Sequence, residues 1–344
     1  MYKGFQIIAC TAAGRRRYMR LLVPYIVSCD IIDRYDIWVH THNGADIAFF
    51  QRLASKYSKI NLVWQPDGIV GGNETINPFY KNCIDENAIY FKVDDDVIWM
   101  EENAIKKMVD FRIDNPEYFL VSPLVINNPL CTYALEASGK LRIKQYQAAS
   151  PFGELIWKSG QFAYELHAWF IENYIHSPEG LYIGKKIIGA NRLSINAILW
   201  FGKDFMQFGG YIPGDDEEYL SCLYPTNIGA ANAINGECIM AHYAFFTQRT
   251  HLDSSNLLYR YDEWTINNVN FNPDFYECYN NISLILEEIN SNEKELMENT
   301  SPYKKPKQHT KTDSSPKYSL KRFIIKHIKK KEYSPNILNH QNEV

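Results

Sequence analysis

The sequence predicts an α/β protein: a mostly parallel sheet with helices on both faces and a helical extension at its carboxyl end. Three observations carry that expectation. Apolar runs of strand length alternate with amphipathic stretches of helix length through residues 4–125. Clusters of turn-forming residues punctuate them, at Pro66-Asp67-Gly68, Gly71-Gly72 and Asn127-Asn128-Pro129. One apolar run, residues 88–100, meets three consecutive carboxylates, Asp94, Asp95 and Asp96. Acids in such a position fall where open α/β sheets bind ligands, beyond the carboxyl ends of the strands.

Taken in order, residues 4–10 form the first predicted strand. The following Thr11-Ala12-Ala13-Gly14-Arg15 turns the chain into a helix over 18–28. Gly14 permits a tight turn, and the N–H groups at the helix start together with Arg15 suit a diphosphate; a plain turn with a solvated arginine is the competing explanation. A strand at 36–42, a helix at 46–57 and a strand at 59–65 complete a βαβαβ pattern before the acidic run. Hard oxygen ligands such as Asp94, Asp95 and Asp96 suit Mg²⁺ or Mn²⁺ carrying substrate phosphates. The same acids also fit a solvated turn capping a helix that starts at Glu101.

That helix, 101–112, places Ala104, Met108 and Phe111 at near-helical spacing and is stopped by Asn115-Pro116. A strand at 118–125 follows, and residues 131–157 show no clean period, so a loop-rich insertion walling the acceptor side is expected. Helix 160–174 carries an apolar face of Phe162, Leu166, Trp169 and Phe170, which makes His167 a core or surface histidine without a catalytic role. A buried strand over 192–202 leads to a second acidic cluster, Gly214-Asp215-Asp216-Glu217-Glu218, at a predicted helix start. The macrodipole keeps carboxylates ionised there, and ordinary capping accounts for them equally well. Residues 238–247 read as a strand interrupted by His242, either a metal ligand or a satisfied core imidazole. An extended wrap over 253–275, a helix over 281–299 and a linker over 301–319 are expected next. Beyond them, Leu320, Phe323, Ile324 and Ile328 share one face of a basic amphipathic helix that ends at Lys331, a pattern suited to an anionic membrane surface.

The composition of 344 residues, 46% of them apolar, supports a sizeable core. The net charge of −4 is split unevenly, because 11 Lys and Arg stand against 3 Asp and Glu from Ser301 onward. The body is therefore acidic, which argues against nucleic acid as a partner. Seven widely spaced cysteines lack a metal-ligand rhythm, and a reducing cytosol is the expected compartment. The apolar residues 5–13 precede Arg15, Arg16 and Arg17 rather than following them, the wrong order for a secretory signal, and no segment is apolar enough to span a bilayer.

The combination of Asp94-Asp95-Asp96, the cluster at Gly214 to Glu218, and His242, in that order on an α/β pattern, resembles the GT-A glycosyltransferases. These are Rossmann-like enzymes with a D-x-D motif that use nucleotide-sugar donors, and the chain looks most like bacterial enzymes of capsule or lipopolysaccharide assembly. The resemblance covers residues 1 to about 250 and implies a donor half over about 1–125 and an acceptor half over about 126–250, with 251–300 and 301–344 appended. It implies that Asp94 or Asp95 contacts the ribose, that Asp94 and Asp96 are the D-x-D ends, and that Asp96 ligates Mn²⁺ or Mg²⁺ with His242 completing the shell. It also implies that Thr11, Gly14 and Arg15 lie beside the nucleotide and that Asp216 faces the acceptor hydroxyl. The family often has Glu-Asp where this chain has Asp215-Asp216, followed by Glu217, so the base is Asp216 or Glu217.

The implied function is metal-dependent transfer of a sugar from a nucleotide-sugar donor to a glycan or glycolipid acceptor; the acids on the acceptor side suit an inverting scheme, and the sequence leaves inversion or retention open. The location that goes with it is the cytoplasm, with peripheral contact to the inner face of the cell membrane. A sugar-phosphate nucleotidyltransferase is the alternative enzyme, since Ala12-Ala13-Gly14-Arg15 resembles the glycine-rich start of that class, although no downstream Pro-Lys pair follows. A non-catalytic sugar-binding protein on the same fold is the alternative outside catalysis.

Overall fold

The structure, a computed structural model, describes residues 1–143, 154–189, 191–268, 273–298 and 301–305. The chain divides into a unit Met1–Pro306 and a unit Lys307–Val344. The predicted basic helix over 320–331 lies outside the described residues, as does the middle of the loop-rich insertion.

Strands β1 (Gln6–Ala13), β2 (Arg34–Val39), β3 (Ile60–Trp64), β4 (Ala88–Val93), β5 (Val97–Met100), β6 (Val121–Ile126), β7 (Lys186–Ile188), β8 (Ala197–Phe201) and β9 (Asn232–His242) form one sheet. Its order is β3-β2-β1-β4-β8-β6-β9-β5, with β7 also paired to β9. The strands β1 to β4, β6 and β9 run one way, and β5, β7 and β8 run against them. The sheet is thus mixed and mostly parallel.

Period-2 alternation gives the sheet two apolar faces, each with its own core. Ile7, Ala9, Ile37, Val39, Ile89, Phe91 and Leu199 point into the larger core. Their neighbours Ile8, Cys10, Trp38, Tyr90, Ile198 and Trp200 point into the smaller one. Helices α1 (Arg16–Val27), α2 (Gly44–Lys56), α3 (Ala104–Asp114), α6 (Gly160–Asn173) and α12 (Pro273–Ser291) contribute buried residues to the larger core, Leu22, Phe50, Met108, Phe170 and Ile282 among them. On the other face lie the 3₁₀ segment Asn73–Asn82 and the short helix α7 (Gly202–Met206), which supply Phe79, Tyr80 and Phe205. Stacked rings fill that core, with Trp200 and Phe205 centroids 4.4 Å apart. Aromatic pairs of this kind add about 0.5–1.5 kcal/mol beyond the area they bury.

Several expectations change. The apolar run 88–100 is two strands rather than one, because the three acids turn the chain and β5 then pairs antiparallel with β9. The helix expected from Glu101 starts at Ala104. Part of the expected loop-rich insertion is helical, in α4 (Pro129–Ala137), where the Asn128 side chain caps Leu130 and Cys131, and in α5 (Glu154–Lys158). The stretch expected as an extended wrap contains α11 (Leu257–Asn267), which follows the short α10 (Arg249–Asp253) and runs ahead of α12 and α13 (Glu293–Glu298). Leu257, Tyr261 and Thr265 of α11 are buried at a spacing of four, a helical stripe hidden among polar residues. The start of the expected linker is docked: Lys304 exchanges backbone hydrogen bonds with Gly68 and Val70, and the Tyr303 hydroxyl donates to the Val39 carbonyl at 2.7 Å. Of the two alternatives for His167, core or surface, the structure shows the core one, with the ring facing the Tyr261 hydroxyl at 2.7 Å and the Tyr243 carbonyl at 3.1 Å. All seven cysteines are free. Among the described residues no helix is long and apolar enough to cross a membrane.

Candidate active site

The acids sit where β4 ends, and strand register decides what they meet. Val97 pairs with His242 across β5 and β9, so the residue before Val97, Asp96, is brought to the His242 ring. The Tyr243 N–H bonds the Asp96 carbonyl at 2.8 Å, and His242 Nε2 lies 3.3 Å from Asp96 Oδ1. On the other side Val93 pairs with Ala197, which places Asn196 beside Asp94. The Asn196 amide donates to Asp94 Oδ2 at 3.2 Å. Two separate antiparallel pairings thus assemble Asp94, Asp96 and His242, whose ligand atoms lie within 4.8 Å of one another.

The three acids have different surroundings. Asp94 is the open one, with a side chain 28% exposed, and Lys92 Nζ donates to its Oδ1 at 2.6 Å. Lys92 is itself buried; burial pulls its pKa down, but the Asp94 carboxylate outweighs this and the net direction is upward. Asp95 is buried and committed to the turn after β1, accepting from the Gly14 N–H at 3.0 Å and from the Arg15 guanidinium. Burial pushes its carboxyl up and Arg15 opposes the shift. Asp96 is equally buried, yet the charges of Arg15, His242 and Arg249 overcome burial and hold it below the usual carboxylate range. Arg15 and Arg249 approach its Oδ2 at 3.2 and 3.3 Å. Burial depresses the His242 imidazole, but facing Asp96 it is raised on balance.

Two carboxylates and an imidazole suit Mn²⁺, and Mg²⁺ less well. Asp94 offers the oxygens open to the cleft. The His242 Nδ1 faces the Asn127 carbonyl at 3.4 Å, which leaves Nε2 toward the acids. A cation there requires neutral imidazole, and its charge would replace the one that protonated His242 lends to Asp96.

These groups line a cleft of about 420 Å³ together with Gly14, Arg15, Asp95, Asp216 and Glu217. Thr11 is not among the lining residues, and here the structure corrects the expectation. Strand β1 runs on to Ala13, so Thr11 alternates into the larger core, where its Oγ1 accepts from Tyr35, and Ala12 faces the cleft instead. The expected backbone cradle for a diphosphate is also partly filled, since Asp95 takes the Gly14 N–H and Asp46 takes the Arg16 N–H at 3.2 Å.

Across the cleft, Asp215 caps the short helix α8 (Asp216–Glu218) by accepting from the Glu218 N–H at 2.9 Å, as the capping explanation expects. Asp216 is different. Half-buried, it accepts from the Tyr80 hydroxyl and from the Glu217 N–H, each at 3.0 Å. Burial raises its pKa, partly offset by Lys92 and Tyr80. Glu217 is also raised by burial, but its carboxylate is engaged by Arg192 at 2.5 Å, and Arg192 holds Asp215 as well.

Lys92, Arg192, Asn196 and Arg249 were not singled out in the sequence. Lys92 carried the one legible signal: a lysine inside the apolar run 88–93, two residues before Asp94 and hence on the same face of the strand. Arg192 and Asn196 reach the site from the loop before β8 and Arg249 from the start of α10, placements that no local pattern encodes.

No family model matches the sequence, and no curated protein matches it. Two solved structures are similar in outline. One is CMP:2-keto-3-deoxy-manno-octonic acid synthetase complexed with CTP, 10% identical with a TM-score of 0.39, the match covering 72% of this chain and 95% of that one. The other is the 4-diphosphocytidyl-2C-methyl-D-erythritol synthase of Anaerococcus prevotii, 10% identical with a TM-score of 0.38, covering 74% and 98%. Likeness at this level assigns no activity.

Proposed function

We propose that the chain is a metal-dependent glycosyltransferase, moving a sugar from a nucleotide-sugar donor to a glycan or glycolipid acceptor in bacterial surface polysaccharide assembly. The observation that carries this is the convergence of Asp94, Asp96 and His242 within 4.8 Å at the end of β4, with Asp216 on the same cleft. A divalent cation held by the three residues would neutralise charge developing on the leaving diphosphate. Arg15 and Arg249 add fixed positive charge beside it. As the bond from sugar to diphosphate breaks, the acceptor oxygen bonds the anomeric carbon and its proton passes to Asp216. Asp216 suits this role better than Glu217, because its partners are a neutral hydroxyl and a backbone N–H rather than a guanidinium. The basic segment 320–331 is proposed to bring the enzyme to anionic membranes. Deleting 307–344 should then abolish co-sedimentation with phosphatidylserine vesicles, and unchanged sedimentation would refute that role.

A second reading, a sugar-phosphate nucleotidyltransferase, is favoured by the density of cations, Arg15, Lys92 and Arg249, around the acids, which suits a triphosphate. One assay separates the two. With Mn²⁺, glycosyl transfer predicts slow release of nucleoside diphosphate from a nucleotide sugar. The alternative predicts pyrophosphate release from a nucleoside triphosphate and a sugar phosphate, and that result without the first would overturn the proposal.

A further inference from the structure

A second cavity of about 480 Å³ adjoins the cleft, and its lining combines the aromatic Trp157, Phe245 and Phe246 with the charged Arg192, Asp215 and Glu217. Phe246 is 73% exposed, an expensive position for a large apolar side chain, and its ring lies 6.3 Å from that of Trp157. The exposure is not looseness. The Thr247 hydroxyl donates to the Trp157 carbonyl, and the buried Gln248 amide donates to the Ile156 carbonyl. Asn127 in turn donates to Gln248 at 3.0 Å. The aromatic edge is therefore fixed in place, four residues beyond His242, whose ring contacts Phe245 at 4.7 Å.

We propose that this cavity is the acceptor subsite and that it takes a neutral pyranose, stacked on Phe246 and Trp157 with its hydroxyls toward Asp215 and Glu217. For its role as an acceptor site the inference rests on the glycosyl-transfer reading above. An apolar aromatic platform and carboxylates in one cavity match the two-sided character of a sugar ring, whose C–H face is apolar and whose edge is a ring of hydroxyl donors. Phe246 is the main platform, because the Lys158 ammonium sits over the Trp157 ring at 5.1 Å and draws on its π-face. Charge selects the neutral sugar. Among the lining residues the guanidinium of Arg192 is already engaged by Asp215 at 2.9 Å and by Glu217 at 2.5 Å, and the Lys158 ammonium lies on the Trp157 ring outside the lining, so two carboxylates against one cation disfavour an acidic sugar.

The test is saturation-transfer NMR on the full chain with methyl glucoside, methyl galactoside, methyl N-acetylglucosaminide and, as the charged counterpart, methyl glucuronide. At least one neutral pyranoside should give signals strongest at its ring C–H protons, and the glucuronide signals should be at least fivefold weaker. Phe246→Ala should reduce the neutral signal at least fivefold and Trp157→Ala by a smaller factor, with thermal midpoints near wild type. Absence of signal from every neutral pyranoside, equal signal from the glucuronide, or unchanged binding in the folded Phe246→Ala variant would overturn the proposal. If neutral sugars bind at Phe246 while the wild type splits no nucleotide sugar, the glycosyl-transfer reading fails and the sugar site stands. Hydrolysis without pyranoside binding removes the sugar site alone.

Discussion

Asp216 and Glu217 adjoin in sequence, yet their side chains have different partners, and this difference is what a mutation pair should detect. Asp216→Asn should lower turnover by about 10²–10⁴, the usual contribution of a general base, whereas Glu217→Gln should cost far less. Near-wild-type turnover in Asp216→Asn would remove it as the base. Because burial raises the Asp216 pKa, the carboxylate is lost on acidification earlier than for an ordinary aspartate. Turnover should therefore fall on the acid side with a midpoint above 3.8, and a limb at or below that value would contradict the assignment. A histidine effect concerns stability. Burial lowers the pKa of His167 from 6.5 to about 3, so only the unfolded chain takes up this proton between those values. The sign follows: the native state loses stability as pH falls through 6.5 toward 3, by about 1.4 kcal/mol per pH unit from this group. Urea midpoints of His167→Gln at pH 7, 6 and 5 should show a shallower fall than wild type, and an equal slope would rule His167 out as its source.

At the scale of elements, the site depends on a loop that only glycine can form. Gly210 has φ +63°, and a Cβ there would meet the Tyr80 carbonyl oxygen at 2.3 Å. Tyr80 is the residue whose hydroxyl bonds Asp216, so the loop 209–214 and the proposed base share one support. Gly210→Ala should destabilise the protein by about 2–4 kcal/mol through strain and overpacking and should lower turnover together with the thermal midpoint. A wild-type midpoint would mean that the loop relaxes at no cost. Elements with a strong apolar pattern were legible in the sequence, α6 through its apolar stripe and β1, β2 and β4 as short apolar runs that the fold covers on both faces. Two features were not. Strand β5 has only four residues, and its identity comes from pairing with β9, a contact across 140 positions between Met100 and Met240 at its nearest and 145 between Val97 and His242. The extension of β1 to Ala13 likewise reflects pairing with β2, where Ala13 meets Val39, and it is this that carries Thr11 away from the cleft.

For the molecule as a whole, the sheet explains why acids and histidine so distant in sequence were recognisable together. Asp94, Asp96 and His242 end or follow strands that lie near one another only because β8, β6 and β9 are added beyond β4. The order of the motifs along the chain carried that information through resemblance; their surroundings did not follow from it. Nothing in the sequence marked Asp95 as the anchor of Gly14 and Arg15, or Arg249 as a neighbour of Asp96, since both depend on which loop crosses which strand end. The most direct measurement is the thermal midpoint of wild type and Asp96→Asn with Mn²⁺, with a panel of nucleotide sugars, and with both together. A ligand at 100 times its dissociation constant stabilises by about 2.7 kcal/mol. A metal-dependent rise with at least one nucleotide sugar in the wild type, absent from the folded Asp96→Asn protein, is the expected result. No rise with any nucleotide sugar, or an equal rise without metal and in the variant, would contradict a metal and donor site built on Asp94, Asp96 and His242.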